Sequence, residues 1–293
     1  MQFFTYFLFN YTFVHGYTCL YVYKLTNIHV DIFIKNNNWI SMLQKVITLA
    51  NFKGGVGKST STAAIGACLA MKGYKVLLVD LDGQSNLTLY YVPNADIMED
   101  SIFDTLVSGK AIPIINVKPN LDIVPSSLEM SSAEIAMTNT LAREQVLSRA
   151  LSDVKINYDF ILIDCPPSLG IVTTNAFIAA DEILVPMTPE LLPLKGMKML
   201  DSFVSSLKVV RPSVKLSGVF ITRYNHRKLN KAVSEALKKR YADITFKTII
   251  RENISIAESA GSGQSIFEYE PNSNGAKDYL ELTEEILRQF NIS

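Results

Sequence analysis

An apolar run, Val46-Ile47-Thr48-Leu49-Ala50, passes through Asn51 and Phe52 into Lys53-Gly54-Gly55-Val56-Gly57-Lys58-Ser59-Thr60, and a helix-length stretch follows at 59–71. Strand, glycine-rich loop and helix in that order describe a phosphate-binding loop. Glycines let successive backbone N–H groups turn inward around phosphate. Lys58 neutralises β/γ charge, and the Ser59 hydroxyl at the helix N-terminus can ligate Mg2+. Lys53 to Thr60 are thus the candidate nucleotide-binding residues. The common spacing of such loops asks for glycine at the first position, where Asn51 or Phe52 falls; here the glycines crowd together and an extra lysine, Lys53, precedes them.

The loop needs a sheet to hold it, and the rest of the chain supplies one. Short apolar runs at 46–51, 75–80, 121–125, 159–164, 182–186 and 215–222 alternate with helix-length segments at 140–152, 171–179, 194–209, 228–241 and 274–290. Near-continuous Val/Ile/Leu strands separated by helices predict a doubly wound, mainly parallel α/β sheet with helices on both faces. No internal repeat or low-complexity linker divides it, so 42–293 reads as a single domain.

Two strand ends carry acids. The 75–80 run ends in Asp80-Leu81-Asp82-Gly83-Gln84, and the 159–164 run in Asp164-Cys165-Pro166-Pro167. A carboxylate is costly to bury unless it is paired or faces a cation, so three at strand ends point to one metal-bearing crevice. Asp164 is the candidate to hold Mg2+ through water, together with Ser59, and Asp82 to orient an attacking water.

The chain's net charge is zero, 28 basic against 28 acidic residues, but the charges are segregated. Residues 195–251 hold fourteen basic and three acidic side chains, while 42–194 and 252–293 are each six charges negative. Such asymmetry hints at an anionic partner, although a solvated helix face accounts for it equally well. Three cysteines are too few and too scattered for a disulfide framework, which favours a reducing interior.

Residues 1–41 differ in kind, with twelve of the chain's 29 aromatic residues. They lack the basic n-region and small-residue cleavage site of a secretory signal, and Asn10, His15 and Gly16 interrupt any membrane span. The reading is a non-native or disordered extension, with translation starting at Met42.

The motifs from 46 to 290 resemble those of the deviant Walker A ATPases of the ParA/MinD family, most of all the short Soj-like ParA proteins. The family pattern is KGGxxK[ST], then D-x-D, then D-x-P-P, in this order. The resemblance implies ATP and Mg2+ as cofactors and slow ATP hydrolysis. Lys53 becomes the signature lysine reaching across an ATP-sandwich homodimer to the partner's phosphates. Lys58 becomes the loop lysine, Ser59 the Mg2+ ligand, Asp82 the residue needed for hydrolysis and Asp164 the second carboxylate. It implies non-specific binding of double-stranded DNA by the ATP-loaded dimer, a ParB-type partner that stimulates hydrolysis, and a cytoplasmic, nucleoid-associated place. Arg227 heads the candidate DNA contacts, followed by Arg223, Lys228, Lys231 and Arg251. Two departures stand out. Gly83 replaces the usual proline and is expected to loosen the turn carrying Asp82. Glu252 and Ser255 replace two usual arginines, with Arg251 at a proline position.

A MinD-like division-site regulator would carry a basic amphipathic membrane helix at its C-terminus, whereas Glu281-Leu282-Thr283-Glu284-Glu285 is acidic. No membrane partner is expected. A ParA-like ATPase that positions another cargo shares every motif and is not separated by them. His15, His29 and His226 suggest no metal or catalytic role, and the methionines of 187–199 read as packing residues.

Overall fold

The computed structural model describes residues 7–14, 17–23, 29–35, 38–41, 44–93, 99–190, 193–225 and 227–292, with those before 44, residues 193–195 and residue 229 described by backbone alone. The chain divides into two compact units, Met1–Gln44 and Lys45–Ser293.

In the first unit β1 (Phe7–Val14), β2 (Tyr17–Tyr23), β3 (His29–Lys35) and β4 (Asn38–Ser41) pair in sequence order as an antiparallel meander. Phe13 stands opposite Thr18, and Phe33 opposite both Cys19 and Ile40. Aromatic and β-branched residues suit a pleated surface. The described residues of this unit are regularly paired. Met42, the expected start, lies outside the described residues.

The second unit is built on eight strands: β5 (Lys45–Leu49), β6 (Val76–Asp80), β7 (Ile115–Lys118), β8 (Leu121–Val124), β9 (Phe160–Asp164), β10 (Glu182–Met187), β11 (Leu216–Tyr224) and β12 (Thr245–Arg251). Their order across the sheet is β12-β11-β10-β5-β9-β6-β8-β7, and every neighbouring pair is parallel except β7–β8. This is the doubly wound, mainly parallel sheet expected. β6, β9 and β10 are buried at every position, as strands covered on both faces must be.

The six expected strands all form, and two more flank them. β12 is hard to read from sequence because it is an edge strand: buried positions alternate with partly or fully exposed ones, Lys247 among the latter, inside a basic stretch. The helix expected at 140–152 is regular only over Val146–Ser152, after a 3-10 turn at Arg143–Gln145. Met187 and Met197 lie in the core and Met199 is exposed.

Strand order positions the site. β9 sits between β5 and β6, with Leu49 opposite Asp164 and Asp80 opposite Asp164. Three loops therefore leave neighbouring strand ends on one edge. The helix Lys58–Met71 lies close on this sheet: a Cβ at Gly66 would come within 2.6 Å of the Leu78 side chain. The last helix, Asn274–Gln289, backs it, where the fully buried Tyr279 hydroxyl bonds the Ser61 hydroxyl at 3.0 Å.

Candidate active site

The loop after β5 takes its shape from two glycines and three anchors. Gly55 and Gly57 have φ of 71° and 85°, left-handed values that favour glycine. Asn51, buried, donates to the Pro186 carbonyl at 2.8 Å and accepts the Lys53 N–H at 3.0 Å, tying the loop to β10. On the other side the Thr222 hydroxyl donates to the Val56 carbonyl at 2.8 Å, tying it to β11. The 14-residue helix Lys58–Met71 begins at Gly57 with no side-chain cap and no acid in its first turn. Its N-terminal N–H groups and positive dipole end are thus left to an anion.

Lys58 is 6% exposed, and its ammonium lies 3.4 Å from the Lys53 carbonyl. Lys53, by contrast, points outward and pairs with Glu190 on the segment after β10. That pairing was not anticipated: Glu190 is an isolated acid in an apolar stretch.

The three strand-end acids separate into distinct roles. Asp80 is fully buried and fully bonded: one oxygen accepts the Asp82 N–H at 3.0 Å, the other the Thr88 N–H and hydroxyl at 2.8 and 2.7 Å. Burial still lifts its carboxyl to about 6, against those bonds. With both oxygens so occupied, it braces the turn rather than offering itself to a metal.

Asp82 is 8% exposed, and its carboxylate accepts the Gln84 N–H at 3.0 Å. Its carbonyl accepts from the Ser126 hydroxyl at 2.8 Å, and Ser126 N–H donates to Thr88 at 2.8 Å, closing a network around the turn. Gly83 does not loosen this turn, as its sequence context suggested. A Cβ there would stand 2.4 Å from the Ser131 hydroxyl and 2.9 Å from the Ser131 backbone nitrogen, so glycine admits the neighbouring segment.

Asp164 is different again. It is fully buried, and both carboxylate oxygens lack a hydrogen-bond partner. Burial and the Asp80 charge push its carboxyl well above the usual range, and the nearby Ser59 hydroxyl and Lys58 ammonium pull the other way. Buried polar atoms are rarely left unpaired, and an orphaned carboxylate beside a hydroxyl and an ammonium fits a cation with its phosphate. Among the described residues no three His, Cys, Asp or Glu side chains group to hold a metal. A cation held by Ser59 and Asp164 would complete its shell from phosphate and water. Cys165, buried beside Asp164, has its thiol pushed up by burial and is a packing residue.

The candidate DNA contacts scatter. Arg227 is exposed just before the helix Lys228–Arg240, on which Lys228 and Lys231 are also exposed. Arg223 turns toward the phosphate loop, its guanidinium 3.4 Å from the Gly55 carbonyl. Arg251 is held by Asp278, which accepts from its backbone N–H at 2.9 Å and from Nε at 3.0 Å. Ser255, at a usual arginine position, is buried and bonded to Glu270. His226 lies outside the described residues.

The family profile described as an AAA domain matches residues 44–216. The chain is 40% identical over 248 residues to the sporulation initiation inhibitor protein Soj of Bacillus subtilis, covering 83% of this chain and 98% of that protein. It resembles the solved structure of a putative plasmid partition protein of Borrelia burgdorferi bound to AMPPNP, with 29% identity, a TM-score of 0.71, and 84% of this chain and 98% of that one covered. It resembles equally a cobyrinic acid a,c-diamide synthase of Mycobacterium smegmatis solved with ADP and magnesium, with 29% identity, a TM-score of 0.74, and 85% and 96% covered. Fold, loop and relatives agree, and the chain belongs to the ParA family, alongside its short Soj-like members.

Proposed function

We propose that this chain is an ATP- and Mg2+-dependent partition ATPase that dimerises on ATP, binds double-stranded DNA without sequence preference, and releases it after hydrolysis stimulated by a ParB-type partner. The observation that carries the nucleotide half is Asp164, a buried carboxylate without a partner beside Ser59 and Lys58. Bound Mg2+ would neutralise charge on the terminal phosphates there. Loop N–H groups from Gly54 to Thr60 cradle the phosphates, and Lys58 supplies the fixed cation. Asp82, held by the Gln84 N–H and the Ser126 bond to its carbonyl, orients the attacking water. Lys53 reaches the phosphates of the second copy. Such a site works by positioning and charge stabilisation, with no covalent step on the protein.

The DNA half rests on the exposed Arg227, Lys228 and Lys231 and on the net +11 of residues 195–251. Contacts of this kind read phosphate rather than bases. Among the described residues no helix is long and apolar enough to cross a membrane. We read the protein as cytoplasmic and nucleoid-associated.

Calorimetric titration tests the site. ATP with Mg2+ should bind, EDTA should weaken binding, and Lys58→Ala should reduce affinity by more than about 100-fold, as loss of a charge-assisted bond to phosphate requires. Undiminished binding by Lys58→Ala contradicts the assignment.

A further inference from the structure

Three charged side chains from three elements border the phosphate loop. Lys53 belongs to the loop, Glu190 follows β10, and Arg223 lies near the end of β11. Lys53 pairs with Glu190, whose carboxyl is held below its usual range first by that lysine, then by the Thr188 hydroxyl, with the Arg223 charge adding to both. Glu190 is thus bonded to one cation while a second stands by. Arg223 rests on the Gly55 carbonyl at 3.4 Å, with Glu252 3.9 Å away.

The backbone at Arg223 is unusual. Its φ of 51° is left-handed, a conformation that a residue with a Cβ keeps only when its surroundings impose it. Here the flanking residues do so: Thr222 is bonded to the Val56 carbonyl at 2.8 Å, and the Tyr224 carbonyl accepts the Glu252 N–H at 2.9 Å. The strained residue is thereby aimed at the loop and away from the exposed helix that follows.

We propose that Glu190 and Arg223 form a catch on Lys53: in the empty site Glu190 neutralises Lys53, and when polyphosphate draws Lys53 away, Arg223 takes over the carboxylate. This rests on the nucleotide-site reading above. The two cations suit their parts. Lysine is a mobile point charge on a flexible stem and can leave, whereas the arginine fork is already fixed by a loop carbonyl. Exchange leaves no carboxylate stranded, so release of Lys53 costs little. The catch is also light, because Lys53 and Glu190 side chains are 43% and 62% exposed and such pairs are weak. Arg223 is then a positioning residue of the nucleotide site rather than a DNA contact.

The test is titration of AMPPNP with Mg2+ at one protein concentration, into wild type, Glu190→Gln, Arg223→Gln and the double variant, at low and high salt. Both residues are exposed, and thermal melts confirm that each variant is folded. Glu190→Gln frees Lys53 and should tighten apparent affinity roughly 2- to 5-fold, the span of an exposed pair. Arg223→Gln removes the second cation and should weaken it by a similar factor. The double variant should match Glu190→Gln alone, since Arg223 has no part once the carboxylate is gone. The gain of Glu190→Gln should shrink in high salt, which a merely structural role would not produce. Unchanged or weaker binding by Glu190→Gln, or additive effects in the double variant, overturns the catch alone. Absence of AMPPNP binding by wild type overturns the nucleotide-site reading and the catch with it.

Discussion

The loops after β5, β6 and β9 and the surface spanning 223–251 are both dense in charge, yet the fold treats them in opposite ways. In the first, Lys58, Asp80, Asp82 and Asp164 are all buried, and each has its own accounting: Asp80 is saturated by Thr88 and Asp82, Asp82 is fixed by Gln84, and Asp164 is left open. In the second, Arg227, Lys228 and Lys231 face solvent, while Arg223 and Arg251, themselves partly exposed, are hydrogen-bonded to the Gly55 carbonyl and to Asp278. A buried charge must be compensated within hydrogen-bond reach, so its geometry is fixed by the sheet. An exposed cation carries no such demand, and its value lies in summed charge.

That contrast can be broken first at Asp164. Asp164→Asn removes a buried charge without a partner and should stabilise the nucleotide-free protein by about 1–3 kcal/mol in thermal or urea unfolding. The sign with pH is definite. Because burial raises the folded-state carboxyl above its unfolded value, wild type holds its stability at acid pH and loses it as pH rises through the folded value. The advantage of Asp164→Asn should therefore grow toward alkaline pH, while the stabilisation of wild type by Mg2+ with nucleotide should vanish in the variant. An Asp164→Asn protein less stable than wild type at every pH would place a partner on that carboxylate.

Gly83→Ala sharpens the same side. With a backbone nitrogen only 2.9 Å from the added carbon, the Leu128–Ser132 segment must move, at a cost of about 1–3 kcal/mol. Hydrolysis should fall more than ATP binding, because Asp82 moves while the phosphate loop does not; equal losses in both would argue that the turn and the loop are one unit.

On the basic side the expected effects are smaller and divide the arginines. Arg251→Ala leaves Asp278, 5% exposed, with fewer donors and should cost about 1–2 kcal/mol of stability. Arg227→Ala should change stability by less than about 0.5 kcal/mol while lowering the salt slope of DNA binding by about 1. If Arg251→Ala instead changes the salt slope and spares stability, the two regions are less distinct than their contacts imply.

How much of this was legible beforehand follows the same division. The phosphate loop, the D-x-D turn and Asp164 could be read because each lies at the end of a continuous Val/Ile/Leu run, where position along the chain fixes position in the sheet. The differing roles of Asp80 and Asp82 could not, since they depend on Thr88 and Ser126, the latter 44 residues from Asp82. Glu190 and Asp278 were hidden for the same reason: their partners Lys53 and Arg251 are 137 and 27 residues away, beyond any local periodicity. Gly83 was misread because family habit at that position says nothing about Ser131 beside it. β12 was lost in the charge of its surroundings, although its alternation is that of a half-buried edge.

We propose that nucleotide in the buried site governs DNA binding by the exposed cations. It is tested most directly by titrating double-stranded DNA of unrelated sequences with the full chain in ATP, in ADP and without nucleotide, at two salt concentrations. The account expects tight, sequence-indifferent binding with ATP alone, falling steeply between the two salts. Equal binding in all three nucleotide states, or binding with ATP that is indifferent to salt, would contradict it.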